Sequence, residues 1–129
     1  NTNVKSVESA MQAGRKMLQQ NPQLDAVIAT GISNIQAGVS DIKISRDDVT
    51  ERSYTKRPNG IPGGGDLLTA ILSCWLTAGH DLDTAFGTAS HDAHNIIDRS
   101  ANAIDIELFD NLDRLTKCPQ ITNYFKGRP

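Results

Sequence analysis

The stretch Arg57-Pro58-Asn59-Gly60-Ile61-Pro62-Gly63-Gly64-Gly65-Asp66-Leu67-Leu68-Thr69-Ala70 decides how this 129-residue chain is read. Its first nine residues hold four glycines and two prolines, which predicts a loop rather than a helix or regular strand. The segment from Asp66 to Ala78 is apolar on nearly every side, through Leu67, Leu68, Ala70, Ile71, Leu72, Trp75 and Leu76. Such a pattern predicts a buried helix, ended by Gly79 in the position after its C-cap. A glycine-rich loop that runs into a helix brings backbone N–H groups and the positive end of the helix dipole to one place. That is a site for a phosphate, or for charge developing on a phosphoryl group. Asp66 stands at its mouth, and two roles are open to it. It can cap the helix. It can instead orient or deprotonate a hydroxyl that attacks a phosphoryl group, where a loose transition state makes positioning matter most. No Gly-Lys-Ser/Thr follows, so this is not a Walker A loop, and it is not a Gly-x-Gly-x-x-Gly turn directly after a strand.

Upstream, residues 6–20 place Val7, Ala10, Met11, Met17 and Leu18 near helical spacing, with Ser6 as a cap, Glu8 in the first turn and Asn21-Pro22 as the stop. Asp25 to Gly31 is a short apolar run, read as a buried strand central in a sheet. Helix followed by buried strand is half of a βαβ unit. Gly38–Ser45 and Asp48–Thr55 alternate apolar and polar residues across a short Arg46-Asp47 turn, which predicts two half-exposed antiparallel strands. Downstream, a helix is expected over Leu82–Arg99, capped by Asp81 or Asp83, with Ala85, Phe86, Ala89, Ala93, Ile96 and Ile97 on its inner face. Asp105 to Leu115 predicts a short strand or helix, and Thr116 to Pro129 a polar surface tail.

Composition narrows the classes. The chain is 38% hydrophobic and 22% charged, ordinary for a globular domain, with a formal net charge of -2. Thirteen basic against fifteen acidic residues leave no basic footprint for nucleic acid. No apolar run reaches the length of a membrane span. Cys74 and Cys118 are too few for a disulfide framework; free thiols suit a reducing, cytoplasmic setting. Cys74 reads as a core residue within Ile71–Leu76. The sequence opens Asn1-Thr2-Asn3, without Met or signal pattern, and is expected to be a piece of something longer.

Gly63-Gly64-Gly65-Asp66-Leu67-Leu68-Thr69-Ala70 resembles the Gly-x-Gly-Asp signature of ribokinase-like kinases, and most closely that of pyridoxal (vitamin B6) kinases. The resemblance runs through nearly the whole chain. Residues 6–31 look like that family's helix and strand ending in Thr. Gly79-His80-Asp81-Leu82-Asp83-Thr84-Ala85 looks like its Gly-x-x-Leu-x-x-Ala helix start, Glu107-Leu108 like its Glu-Leu, and Tyr124-Phe125 like the tail of bacterial members.

The resemblance implies an α/β, three-layer α/β/α ribokinase-like fold, with residues 1–129 as its C-terminal nucleotide-binding and catalytic part: central strands, helices and an antiparallel edge. It implies ATP-dependent phosphorylation of the 5′-hydroxymethyl group of pyridoxal, pyridoxine or pyridoxamine, in salvage of pyridoxal 5′-phosphate. Asp66 would be the catalytic base, and Gly63, Gly64 and Gly65 the anion hole. Thr30 and Gly31 would lie near the ATP phosphates, and Tyr54, Ile61 and Pro62 on the loop covering the nucleotide. Cofactors would be ATP with Mg2+ and a monovalent cation such as K+. The partners would be a B6 vitamer and ATP, with a homodimer as the full-length assembly. Related phosphomethylpyrimidine kinases place Cys where this chain has Asp66, which favours the pyridoxal branch.

Departures are also visible. Gly64 replaces the usual Thr, Val or Ala, and Gly31 stands where Ser is common. The pyridine-ring pocket, the lid and several acidic metal-site residues belong to the family's N-terminal half, which these 129 residues do not match, so alone they should not make a competent kinase. Two other readings are carried beside this one: another ribokinase-like sugar or nucleoside kinase, and a truncated, non-catalytic nucleotide-binding or dimerisation module. His91 and His94 flank Asp92 on a predicted helix, but two ligands do not make a metal site, and they read with Asp92 as a solvated face. His80 reads as a surface residue, Trp75 as core, and Asp105, Glu107 and Asp110 as a solvated acidic face. Ser90 and His91 have no acid partner for a hydrolytic triad.

Overall fold

The computed structural model describes residues 4–56, 62–100 and 106–119. It divides into two compact units, Asn1–Pro58 and Asn59–Pro129. Ile61, Asp105 and the Tyr124-Phe125 tail lie outside the described residues.

In the first unit, α1 (Val7–Gln20) starts where the sequence predicts, at Ser6. The Ser6 hydroxyl accepts from the Ser9 N–H, and the Ser9 hydroxyl accepts from the Ser6 N–H. This is a capping box with Ser in the usual place of Glu, and it satisfies two orphan donors. Ala10, Gly14 and Leu18 form the buried stripe. They pack with Ile42 and Ile44, flanked by Val7, Met11, Val27, Ala29, Ile32 and Val49. At the other end of α1, the Arg46 guanidinium donates to the carbonyls of Leu18 (3.0 Å), Pro22 (3.0 Å) and Leu24 (3.1 Å). A cation bonded to the last carbonyls complements the helix dipole.

The sheet order is β1 (Ala26–Ser33), β2 (Val39–Ser45), β3 (Val49–Tyr54), antiparallel throughout. Two expectations change here. Among the described residues β1 lies at one end of the sheet rather than at its centre, and it is half-buried and runs on to Ser33. So apolar a run predicts a fully covered strand, but its ladder partner is the hairpin neighbour β2. Conversely β2, read as half-exposed, is buried from Ser40 through Ile44. Its alternation is real: Ile42 and Ile44 face α1, and Asp41 and Lys43 stand on the opposite face. That second face is polar yet covered, with Asp41 1% and Lys43 4% exposed.

In the second unit, α2 (Gly64–Thr77) and α3 (Leu82–Arg99) pack against each other. The bounds of α3 are those expected, and Asp81 caps it through the Thr84 N–H (2.9 Å) and hydroxyl (2.9 Å). These bonds, the backbone one foremost, hold the Asp81 carboxyl below its ordinary pKa. α2 ends as predicted at Gly79 (φ 94°). The His80 N–H reaches the Trp75 carbonyl and the Gly79 N–H that of Leu76, the paired bonds of a Schellman motif.

α2 is less buried than its composition suggests. Leu68, Ile71 and Trp75 are inside, while Leu76 and Cys74 are exposed. A single partner helix covers one stripe, so an all-apolar segment still leaves a face outside. Cys74 is therefore a free surface thiol rather than a core residue, and Cys118 is free as well.

The region after α3 holds a short 3-10 helix over Phe109–Arg114, with Phe109 88% exposed. Buried polar groups tie it down. The Ser100 hydroxyl accepts the Glu107 N–H (3.0 Å), and the Asp92 carboxylate accepts the Thr116 N–H (2.7 Å) and hydroxyl (2.9 Å). Asp92, read as part of a solvated face, is 1% exposed because it holds Thr116. His80, read as a surface residue, is half-buried; its ring lies 4.6 Å from that of Trp75, and Nε2 donates to the Pro119 carbonyl at 2.7 Å. Among the described residues no helix is long and apolar enough to cross a membrane.

Candidate functional site

The glycine run does not stop where the helix starts. Gly63 is the N-cap, in the left-handed region at φ 96°, and Gly64 and Gly65 are already the first two helical residues. The expectation that all three glycines are loop is corrected: two of them supply the first turn. The left-handed entry is open to glycine at little cost and to other residues only with strain.

No side chain caps this turn. The first intrahelical bond runs from the Leu67 N–H to the Gly63 carbonyl at 2.9 Å. The N–H groups of Gly64, Gly65 and Asp66 therefore have no partner within the helix. Asp66 is the third helical residue, exposed, in the first turn and not at the N-cap. Of its two sequence readings, simple N-capping does not describe it. Three N–H groups without a partner in the helix, a left-handed glycine and an exposed acid stand at one helix end.

Gly64 has a second reason to be glycine. A Cβ there would lie 2.8 Å from Ile97 Cδ1 on α3. The departure from Thr, Val or Ala at the middle of the motif is thus matched by the close approach of Ile97. Pro62 is exposed in the turn just before Gly63.

Thr30, Gly31 and Tyr54 belong to the first unit, and Pro62 to Asp66 to the second. Thr30 and Gly31 sit at a break in the ladder. Ala29 pairs with Ile42 and Ile32 with Ser40, so two residues of β1 oppose only Asp41 of β2. This is a β-bulge. Gly31 takes φ 64° there, and its N–H donates to Asp41 Oδ1 at 3.0 Å. Tyr54 closes β3, paired with Val39, and is not part of the bulge.

Sequence reasoning missed Asp41, and it placed Ile97 on the inner face of its helix without the approach to Gly64. The alternation in β2 placed Asp41 on a polar face, but nothing in it signalled that this face is covered. His91 is exposed, while His94 is half-buried and Asp92 is engaged by Thr116. Among the described residues no group of three or more His, Cys, Asp or Glu could hold a metal ion.

No protein-family profile matches the sequence, and no curated protein matches it by sequence. Solved structures do match. The chain is similar to pyridoxal kinase from Entamoeba histolytica, with a TM-score of 0.78 and 19% identity over 93% of this chain and 43% of that one. It is also similar to a putative phosphomethylpyrimidine kinase from Bacteroides thetaiotaomicron VPI-5482, with a TM-score of 0.67 and 21% identity over 86% of this chain and 41% of that one. The chain spans less than half the length of either. What these likenesses establish is the fold alone: a mixed α/β chain with a small antiparallel sheet, matching 43% and 41% of those two kinase chains.

Proposed function

We propose that this chain carries the phosphate-handling part of an ATP-dependent small-molecule kinase of the pyridoxal type. The observation that supports it most is the uncapped mouth of α2, where Gly63 enters left-handed and Asp66 is left exposed in the first turn. Unpaired N–H groups at a helix start suit a phosphoryl group, whose charge grows on its equatorial oxygens during transfer. The Asp66 carboxylate accepts the proton of the attacking hydroxymethyl group. That oxygen bonds to the γ-phosphorus as the bond to the bridging oxygen breaks, and ADP leaves. The backbone of Gly63, Gly64 and Gly65 holds the transferred group. Thr30 contacts the nucleotide phosphates, and Tyr54, Ile61 and Pro62 line the nucleotide. ATP with Mg2+ is the phosphoryl donor in this reading. Asp66 in place of Cys favours a B6 vitamer over a phosphomethylpyrimidine. Residues 1–129 form one part of a single kinase domain in this reading, and the vitamer pocket lies elsewhere.

The test is turnover of the intact protein against pyridoxal, pyridoxamine, pyridoxine and a panel of sugars and nucleosides, with Asp66→Asn beside it. B6 phosphorylation that Asp66→Asn lowers by about a thousandfold, with ATP still bound, is the expected result, in the range of a lost general base. Near-normal turnover of the variant removes Asp66 as the base. Turnover of a sugar with none of B6 moves the protein to another branch of the fold.

A further inference from the structure

The β1 bulge is held by a group that no motif in the sequence marks. Asp41 is the single β2 residue opposite Thr30 and Gly31, and it is 1% exposed. A carboxylate withdrawn from water needs donors, since leaving it unpaired is costly. One donor is the Gly31 N–H at 3.0 Å. The bond closes a loop across the hairpin and fixes Gly31 at φ 64°. Gly31 and Asp41 are therefore one device, a left-handed glycine and the buried acid that engages its amide. Gly31 is also where the resemblance leads one to expect Ser, a residue for which this φ is strained.

We infer that Asp41 is a positioning residue that sets the Thr30–Gly31 bulge and so places Thr30 for the nucleotide phosphates. This rests on the nucleotide role proposed for Thr30. It also changes the part played by Gly31. The Gly31 N–H is engaged by Asp41, so Gly31 serves the site through its backbone shape. Asp41 itself touches neither the nucleotide nor the reacting atoms in this reading. Its effect passes through the bulge to ATP affinity, leaving the chemical step at Asp66 unchanged.

The test joins a spectroscopic and a kinetic readout in the intact protein. The Gly31 amide is followed in 1H–15N spectra, and KM for MgATP and kcat are measured separately. Asp41→Ala is expected to shift the Gly31 amide and to raise KM for MgATP by about tenfold through loss of the bond to Gly31, with kcat held. Asp41→Asn keeps an oxygen acceptor and is expected to recover most of that loss. Gly31→Ala places a Cβ that meets nothing within 4 Å, so it strains the backbone without a clash. It is expected to raise KM for MgATP in the same direction with Asp41 intact. These two variants keep the test decisive where Asp41→Ala unfolds. An unmoved Gly31 amide in the Asp41 variants overturns the proposal. So does a moved amide with KM at the wild-type value. A wild-type protein that does not bind MgATP overturns the nucleotide role of Thr30 and the site role of Asp41 with it. That outcome is distinguishable, because the Gly31 amide still responds to Asp41→Ala.

Discussion

The helices α3 and α2 begin in opposite ways. α3 starts on Asp81, whose carboxylate takes the Thr84 N–H and hydroxyl. α2 starts on Gly63, which has no side chain to offer, and its first turn is left uncapped. Each start has an acid nearby, and position separates them. Asp81 is the N-cap residue of α3, whereas Asp66 is the third residue of α2. An acid at the N-cap closes the helix end. An acid one turn in, after three glycines, leaves the donors open and adds a carboxylate beside them. The first arrangement serves stability, and the second gives up a cap in a way that suits ligand chemistry.

The same substitution at both mouths gives the largest contrast. Asp66→Asn is expected to lower turnover of the intact protein by about a thousandfold with little change in its urea midpoint, since the residue caps nothing. Asp81→Asn is expected to leave kcat alone. Equal losses of turnover at both positions would erase the distinction between the two helix starts.

Gly63→Ala comes next. It forces a Cβ into the left-handed region, at 3.4 Å from Ile106 Cδ1. A cost of about 1–2 kcal/mol is expected in urea denaturation, from backbone strain. A neutral result would mean that α2 can be entered another way. Ser6→Ala removes the cap of α1 and is expected to cost about 1 kcal/mol without touching nucleotide binding. It is the stability control for the uncapped helix.

The smallest effect is pH-dependent. The Asp81 carboxyl is held below its ordinary pKa in the folded chain by its bonds to Thr84, the backbone one foremost. A lowered folded pKa contributes stability above the unfolded value, and that contribution is lost as pH falls through the folded one. The difference in urea midpoint between wild type and Asp81→Ala should therefore be full at neutral pH and shrink as pH falls below the ordinary carboxylate pKa. A constant difference across that range would mean that Asp81 acts by shape and not by charge.

Much of this was legible beforehand where the cause is local. Ser6, Asp81 and Gly79 mark helix ends because caps are made within a few residues of chain. The glycine run marked the mouth of α2 for the same reason. What failed depended on distant partners. Cys74 sits in an apolar run and is still exposed, because α2 buries one stripe only. Asp92 sits beside two histidines and is still inside, because Thr116 comes back to it from 24 residues away.

The sequence by itself determined the helices and the antiparallel hairpin of β2 and β3, and it carries the resemblance that suggests a chemistry for the Gly63–Asp66 turn. These follow from period, punctuation and backbone freedom, which are properties of neighbours along the chain. Only the tertiary structure decided that Asp66 is not a cap, that Gly64 lies against the end of the Ile97 side chain, and that Asp41 is buried against a bulge at Gly31. Alternation along a strand says which residues share a face; register and burial, which come from the packed partners, say what that face is for.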